Sequence, residues 1–226
     1  MRILSMPKVT IVAAMLAAAC SSANALTIPT NALEANSVQV FSKAALNSYK
    51  LFGISIKPMG NATAVAGTTD SFNLPVTSIT VGLSGGIQIQ KGDAKGSALE
   101  ISRVDPETGD KKGLTVANFT IDYLKQQVLA DTTPIGGTTK SQAPLYSFEM
   151  LSPLSVKYQF PLTITAKEQL GNLRIIDVEG TVDALGIDPD LGAAVIPAID
   201  FGVINIDIGV KFRSKPVSTK PYVPAI

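Results

Sequence analysis

Val203–Phe212 reads VINIDIGVKF, and its pattern decides the fold class. Ile204, Ile206, Ile208, Val210 and Phe212 alternate with Asn205, Asp207, Gly209 and Lys211. Successive residues of a β-strand point to opposite faces, so a period of two predicts a strand with one buried face and one wet face. The same alternation recurs upstream. GISIKPMG sets Ile54 and Ile56 against Ser55 and Lys57, and VTSITVGLSG sets Val76, Ile79, Val81 and Leu83 against Thr and Ser. GIQIQKG continues with Ile87 and Ile89, and SALEISRV with Leu99 and Ile101. LTVANFTIDYL (114–124), QQVLAD (126–131), LSVKYQFPLTIT (154–165) and NLRIIDVEGTV (172–182) read as further strands. Pro161 lacks a ladder donor and predicts an edge or a bulge in its strand.

The punctuation between these runs is turn chemistry. Gly85-Gly86 suits a tight hairpin or a bulge. DPETGDKKG (105–113) is a strongly marked loop, and TTPIGGTTKSQAP (132–144) reads as a long exposed loop. Asp188-Pro189-Asp190-Leu191-Gly192 reads as a turn in which Asp188 caps the backbone. One segment reads as a helix: residues 31–50, with Leu33, Val40, Ala44 and Tyr49 on one stripe and Asn36 or Ser37 as its cap. Strands at intervals of roughly 8–12 residues predict an all-β architecture. The expectation is an antiparallel β-sandwich or partly open barrel with one N-terminal helix, a single domain over residues 26–212. Residues 213–226 hold Pro216, Pro221 and Pro224 and read as an extended tail. The apolar stretch LGAAVIPAIDFGVINIDIGV (191–210) is interrupted by Pro197, Asp200, Asn205 and Asp207, so it reads as a core strand and its approach rather than a membrane span.

Residues 1–25 read as a secretory signal. Arg2 and Lys8 precede the apolar run Val9–Ala19, and Ala23-Asn24-Ala25 is an A-x-A cleavage site before Leu26. The run is short of the about 20 residues that span a bilayer. The expected product is periplasmic or extracellular, with no transmembrane span. The minority alternative is a lipoprotein anchored at Cys20, but Ala17 stands where such signals carry Leu. Loss of Arg2 and Lys8 turns the net charge of +1 into −1, which offers no electrostatic case for nucleic acid.

The absences narrow the chemistry. The chain has no His and no Trp, and its single Cys lies in the signal. A Ser-His-acid triad, a Cys-His pair and a Cys/His metal site are therefore excluded. Asp105, Glu107 and Asp110 offer oxygen ligands, but not at the spacing of a calcium loop, and read as a solvated hairpin tip. Ser97, Ser102 and Ser141 have nearby lysines without a Ser-x-x-Lys arrangement. Asn61-Ala-Thr63 and Asn118-Phe-Thr120 match the glycosylation sequon and are given no role. Tyr123, Tyr146, Tyr158 and Phe148 read as core rather than as a haem pocket. No catalytic residue, metal ligand or cofactor-binding residue is assigned, and no cofactor is expected.

GSALEISR (96–103), LTVANFTIDYLKQQVLAD (114–131), LTITAKEQLGN (162–172) and FGVINIDI (201–208) resemble uncharacterised exported proteobacterial β-domain proteins and, more faintly, the HtaA-like surface domains. The latter resemblance implies a β-fold at a cell surface that binds haem through Tyr and His. This chain has no His, so no haem ligand is carried over. The reading is a non-enzymatic exported surface, matrix or periplasmic protein that works by binding or assembly, with a homo-oligomer or cell-surface partner. A carrier of an apolar, haem-like or lipid-like molecule is the alternative, and a carboxylate-dependent hydrolase the further one.

Overall fold

The computed structural model describes residues 25–82, 88–159 and 163–224. Its strands are β1 (Ala25–Pro29), β2 (Leu33–Val40), β3 (Ser55–Gly60), β4 (Thr63–Ala64), β5 (Ser71–Pro75), β6 (Ser78–Gly82), β7 (Gln88–Val104), β8 (Lys111–Asp122), β9 (Gln127–Pro134), β10 (Lys140–Gln159), β11 (Thr163–Ile175) and β12 (Val203–Phe212). Three short helices interrupt them: α1 (Lys43–Phe52), α2 (Val178–Leu185) and α3 (Pro189–Val195), the last running into a 3-10 turn at Ile196–Ala198. The fold is mainly β and antiparallel, as the alternation predicts. It is one curled half-barrel sheet rather than two stacked sheets, in the order β1-β6-β7-β8-β9-β10-β11-β12-β2-β5-β4, with β3 paired to β7.

The curl closes at a corner. β5 and β6 lie near opposite ends of the sheet order, yet only Val76 and Thr77 separate them in sequence. Thr77 donates its N–H to Asp93 O at 2.7 Å, while Val76 donates to Ala35 O at 2.9 Å. Buried Thr30 donates its hydroxyl to Val76 O at 2.9 Å. The corner thus satisfies backbone groups that a bent ribbon would otherwise strand in the interior. Bulges bend the sheet further. The β7–β8 register slips between Ala94 and Ala98, and the β8–β9 register between Ala117 and Thr120. Asn118 takes up the left-handed conformation there, at φ 54°.

Several expectations are corrected. Residues 31–50 are not one helix: the first part is strand β2, and α1 begins after Ser42. Ser42 caps it instead of Asn36 or Ser37, accepting from Ala45 N at 3.1 Å. The inward set of β2 is Ala35, Ser37 and Gln39, all buried. Polar residues on the inner face and Val38 and Val40 on the outer one disguised its period of two. Thr132–Pro144 is not a long loop, because β9 and β10 pair from Lys140↔Thr132 to Ser147↔Gln127. The strand expected over 154–165 is two strands that pair with each other, Gln159↔Thr163 onward. Pro161 and Gly85-Gly86 lie outside the described residues. The strand expected at 172–182 ends at Ile175, and Asp177 caps α2 through Gly180 N at 2.9 Å. Asp188 does cap the backbone, at Leu191 N (2.9 Å), but the turn opens helix α3.

In β12 the alternation holds where the sheet is covered. Ile204 and Ile206 are buried, whereas Phe212 at the far end is 72% exposed. The core joins the inner face of the sheet to the helices: Leu99, Val116, Leu170 and Leu173 from strands meet Val182, Leu185 and Ile196 from the α2–α3 layer. The tail from Arg213 to Pro224 forms no helix or strand and lies against the sheet. Val217 donates to Asn31 O at 3.0 Å, and Tyr222 donates to Asn118 Oδ1 at 2.7 Å.

Candidate functional site

Helix α1 presents two stripes. Ala45, Tyr49 and Phe52, spaced i, i+4, i+7, pack on the core. Lys43, Leu46, Asn47 and Lys50, spaced i, i+3, i+4, i+7, line an open cleft of about 460 Å³ between α1, β3 and β5. Its remaining lining includes Phe41, Ile54, Ile56 and Phe72. Phe41 stands edge-on to both Tyr49, at 5.5 Å between ring centroids, and Phe72, at 6.0 Å. Such pairs favour fixed, offset arrangements, and Phe41 and Phe72 are themselves buried, so the floor is the rigid margin of the hydrophobic core.

The helix is held at both ends. The Ser42 hydroxyl accepts from Ala45 N and donates to Asp200 O at 2.5 Å, tying the helix start to the entry of β12. Gly53 ends it in the left-handed conformation at φ 67°, which a residue without Cβ adopts freely. Both lysines of the cleft stripe are exposed, and no ion pair engages them among the described residues. Among the described residues, no carboxylate lines the cleft. The result is an apolar floor under a positive rim.

A second apolar space lies deeper. Tyr49, Phe52, Ile101, Leu114, Tyr146 and Phe201 are among the residues that enclose about 40 Å³ between the sheet and the helices. That is room for about one water molecule. Tyr49 lines both spaces. Burial, with the neighbouring Tyr146, raises the Tyr49 phenol well above its ordinary value. Burial also pushes Tyr146 up to about 12, despite a contact with Gln39 that lowers it. Both phenols are therefore neutral at physiological pH.

The residues weighed from the sequence fall elsewhere. Asp105 accepts from Glu107 N at 2.9 Å at the exposed tip of the β7–β8 hairpin, and among the described residues no three His, Cys, Asp or Glu side chains cluster as a metal site. Ser102 bonds to Glu100 and Ser141 to Asp131, neither to a lysine. Ser97 is fully buried. Tyr123 and Phe148 meet edge-on at 6.2 Å in the interior, where Tyr123 donates to buried Glu168 at 2.7 Å. The side chain of Tyr158 lies outside the described ones. Asn61 and Asn118 of the two sequons hold the tail. Lys43, Leu46, Asn47 and Lys50 were not singled out from sequence. Their helical spacing was the available signal, hidden by reading the helix from residue 31.

No family model and no curated protein matches the chain. Among solved structures it is similar to the crystal structure of the C-terminal domain of HtaA from Corynebacterium glutamicum, at 13% identity and a TM-score of 0.45, over 78% of this chain and 97% of that one. At these values no site residue is carried across.

Proposed function

We propose that this is an exported, non-enzymatic binding protein whose cleft beneath α1 takes a small amphiphile with a flat apolar body and an anionic end. The observation that carries this reading is the pairing of the Phe41–Phe72–Tyr49 floor with Lys43 and Lys50 on one helical stripe, with no acid in the lining among the described residues. The volume lies within the about 300–1,000 Å³ of small-molecule sites. The apolar body buries against the floor, and the lysines meet the anion at the rim. A haem-like or lipid-like molecule has this chemistry. The buried space of about 40 Å³ does not hold one.

Export is supported by the sequence of residues 1–25, with its basic start, short apolar run and A-x-A site before Leu26. The test is a titration of the purified protein with haemin and, separately, with 1-anilinonaphthalene-8-sulfonate. Both are expected to bind saturably. Lys43→Glu/Lys50→Glu is expected to weaken them at least about tenfold, since each lost charge contact to an anion amounts to about 1 kcal/mol or more. Unchanged affinity in a folded double variant overturns the assignment of the site.

A further inference from the structure

The outer face of the sheet carries a second built site, independent of the cleft. Strand β8 is buried on both faces from Leu114 to Asp122. Leu114, Val116, Phe119 and Ile121 belong to the core cluster. Over the opposite face, at Asn118 and Thr115, lies the C-terminal segment.

The contacts are specific. Tyr222 donates its N–H to Asn118 Oδ1 at 2.7 Å, and its carbonyl accepts from Asn118 Nδ2 at 2.9 Å. The side-chain amide thus pairs both backbone groups of one residue, as a neighbouring strand would. Asn118 is itself fixed by Gly96 N on its oxygen (3.0 Å) and by Asp131 Oδ2 on its nitrogen (2.8 Å), so all four positions of the amide are used. Asn61 Nδ2 donates to Ser218 O at 2.7 Å. A side chain on Gly60 would meet Gly96 O first and then the Tyr222 ring, and one on Gly96 would meet the Asn61 amide and then the backbone O of Lys220. Glycine at both positions leaves the space. Pro224 lines a groove of about 240 Å³ together with Glu100, Thr115 and Thr133.

The occupant is a separable peptide. Pro216, Pro221 and Pro224 favour an extended backbone, and Ser218–Pro221 is exposed throughout. Ser214–Pro216, between the last strand and the groove, is also exposed and outside any element. Release of the segment melts no helix or strand, and an identical segment from another molecule would make identical contacts.

We propose that the groove over β7 and β8 is a peptide-binding site, filled here by the chain's own residues 218–224 and open to the same segment of a second copy, giving a dimer by reciprocal tail exchange. The tethered tail competes at an effective concentration on the order of millimolar, so exchange grows with protein concentration or when the tether is loosened.

The test uses the full chain and a fluorescein-labelled peptide of residues 217–226, read by anisotropy. Tyr222→Ala loosens the chain's own tail and leaves the groove intact, so it is expected to bind the peptide at least about tenfold more tightly than the unaltered chain. Adding Asn61→Ala, which removes the hold on Ser218, is expected to reverse that gain. If folded Tyr222→Ala binds no better than the unaltered chain, the proposal fails. A second measurement needs no loosened tail. Isotope-labelled and unlabelled full chains, each carrying a benzoylphenylalanine photocrosslinker at position 222, are mixed and irradiated. Links from 222 of one chain to the Gly60–Asn61 turn of the other, rising with concentration, are expected. Links confined to single chains up to about millimolar concentration would overturn it.

Discussion

The cleft beneath α1 and the small space under α2 and α3 are both lined with aromatic and aliphatic side chains, and Tyr49 belongs to each. They differ more than tenfold in volume, about 460 against about 40 Å³. They also differ at the rim: two lysines that no ion pair engages among the described residues border one, and Leu185, Ile196 and Phe201 line the other. Apolar lining alone therefore distinguishes nothing: the smaller space is what a close-packed core leaves over, and the larger one opens along the margin of the same core, to which Phe41 and Phe72 belong. A site needs room, and a group that gains by meeting a ligand.

Truncation separates the two regions most sharply. Leu173 is fully buried in the core, so Leu173→Ala is expected to cost about 3 kcal/mol in urea unfolding. Ser42→Ala comes next, at about 1–2 kcal/mol, because the hydroxyl both caps α1 and bonds to Asp200 O. Loosening that helix is also expected to weaken haemin binding, whereas Leu173→Ala leaves the affinity of the surviving folded protein unchanged. Leu46→Ala, half-buried between the cleft and the edge of the core, is expected to cost about 1 kcal/mol in stability, well below Leu173→Ala, and to weaken the anilinonaphthalene sulfonate complex. A stability loss at Leu46 as large as at Leu173 would mean that the cleft is a core defect rather than a surface.

The smallest expected effect is a pH dependence of the interior. Burial raises the Glu168 carboxyl above its ordinary range, and the bond donated by Tyr123 only partly offsets this. The folded state therefore holds this proton more tightly than the unfolded chain. The stability it contributes is fully present below the ordinary glutamate value and is lost as pH rises through the raised one. Glu168→Gln keeps an acceptor for Tyr123 and removes the loss. The variant is expected to gain in urea midpoint relative to the unaltered protein at pH 7.5 but not at pH 4. Equal gains at both pH values would show that Glu168 is not the group responsible.

Strands β12 and β2 are neighbours in the sheet, paired from Val203↔Val40 to Ile208↔Ala35, yet only one was legible. In β12 the inward residues are isoleucines and the outward ones Asn205 and Asp207. In β2 the inward residues include Ser37 and Gln39, which pattern reasoning places in water. The corner at Thr77 was illegible because it depends on partners distant in sequence, Ala35 and Asp93, and the hairpin over 132–144 because its Thr, Ser, Gly and Pro residues also suit a loop. At the cleft, the lysines and the aromatics come from separate elements, and no local pattern brings Phe41, Phe72 and Lys50 together.

The sequence by itself determined the mainly β class, the antiparallel pattern and the exclusion of histidine and cysteine chemistry. These follow from side-chain period and composition, which are local properties. Only the tertiary structure decided that the sheet is a single curled half-barrel, that α1 turns one stripe to the core and the other to a cleft, and that the tail fills a groove over β8. Each of these depends on contacts between residues far apart in the chain, whose free energy appears only when the partner is in place.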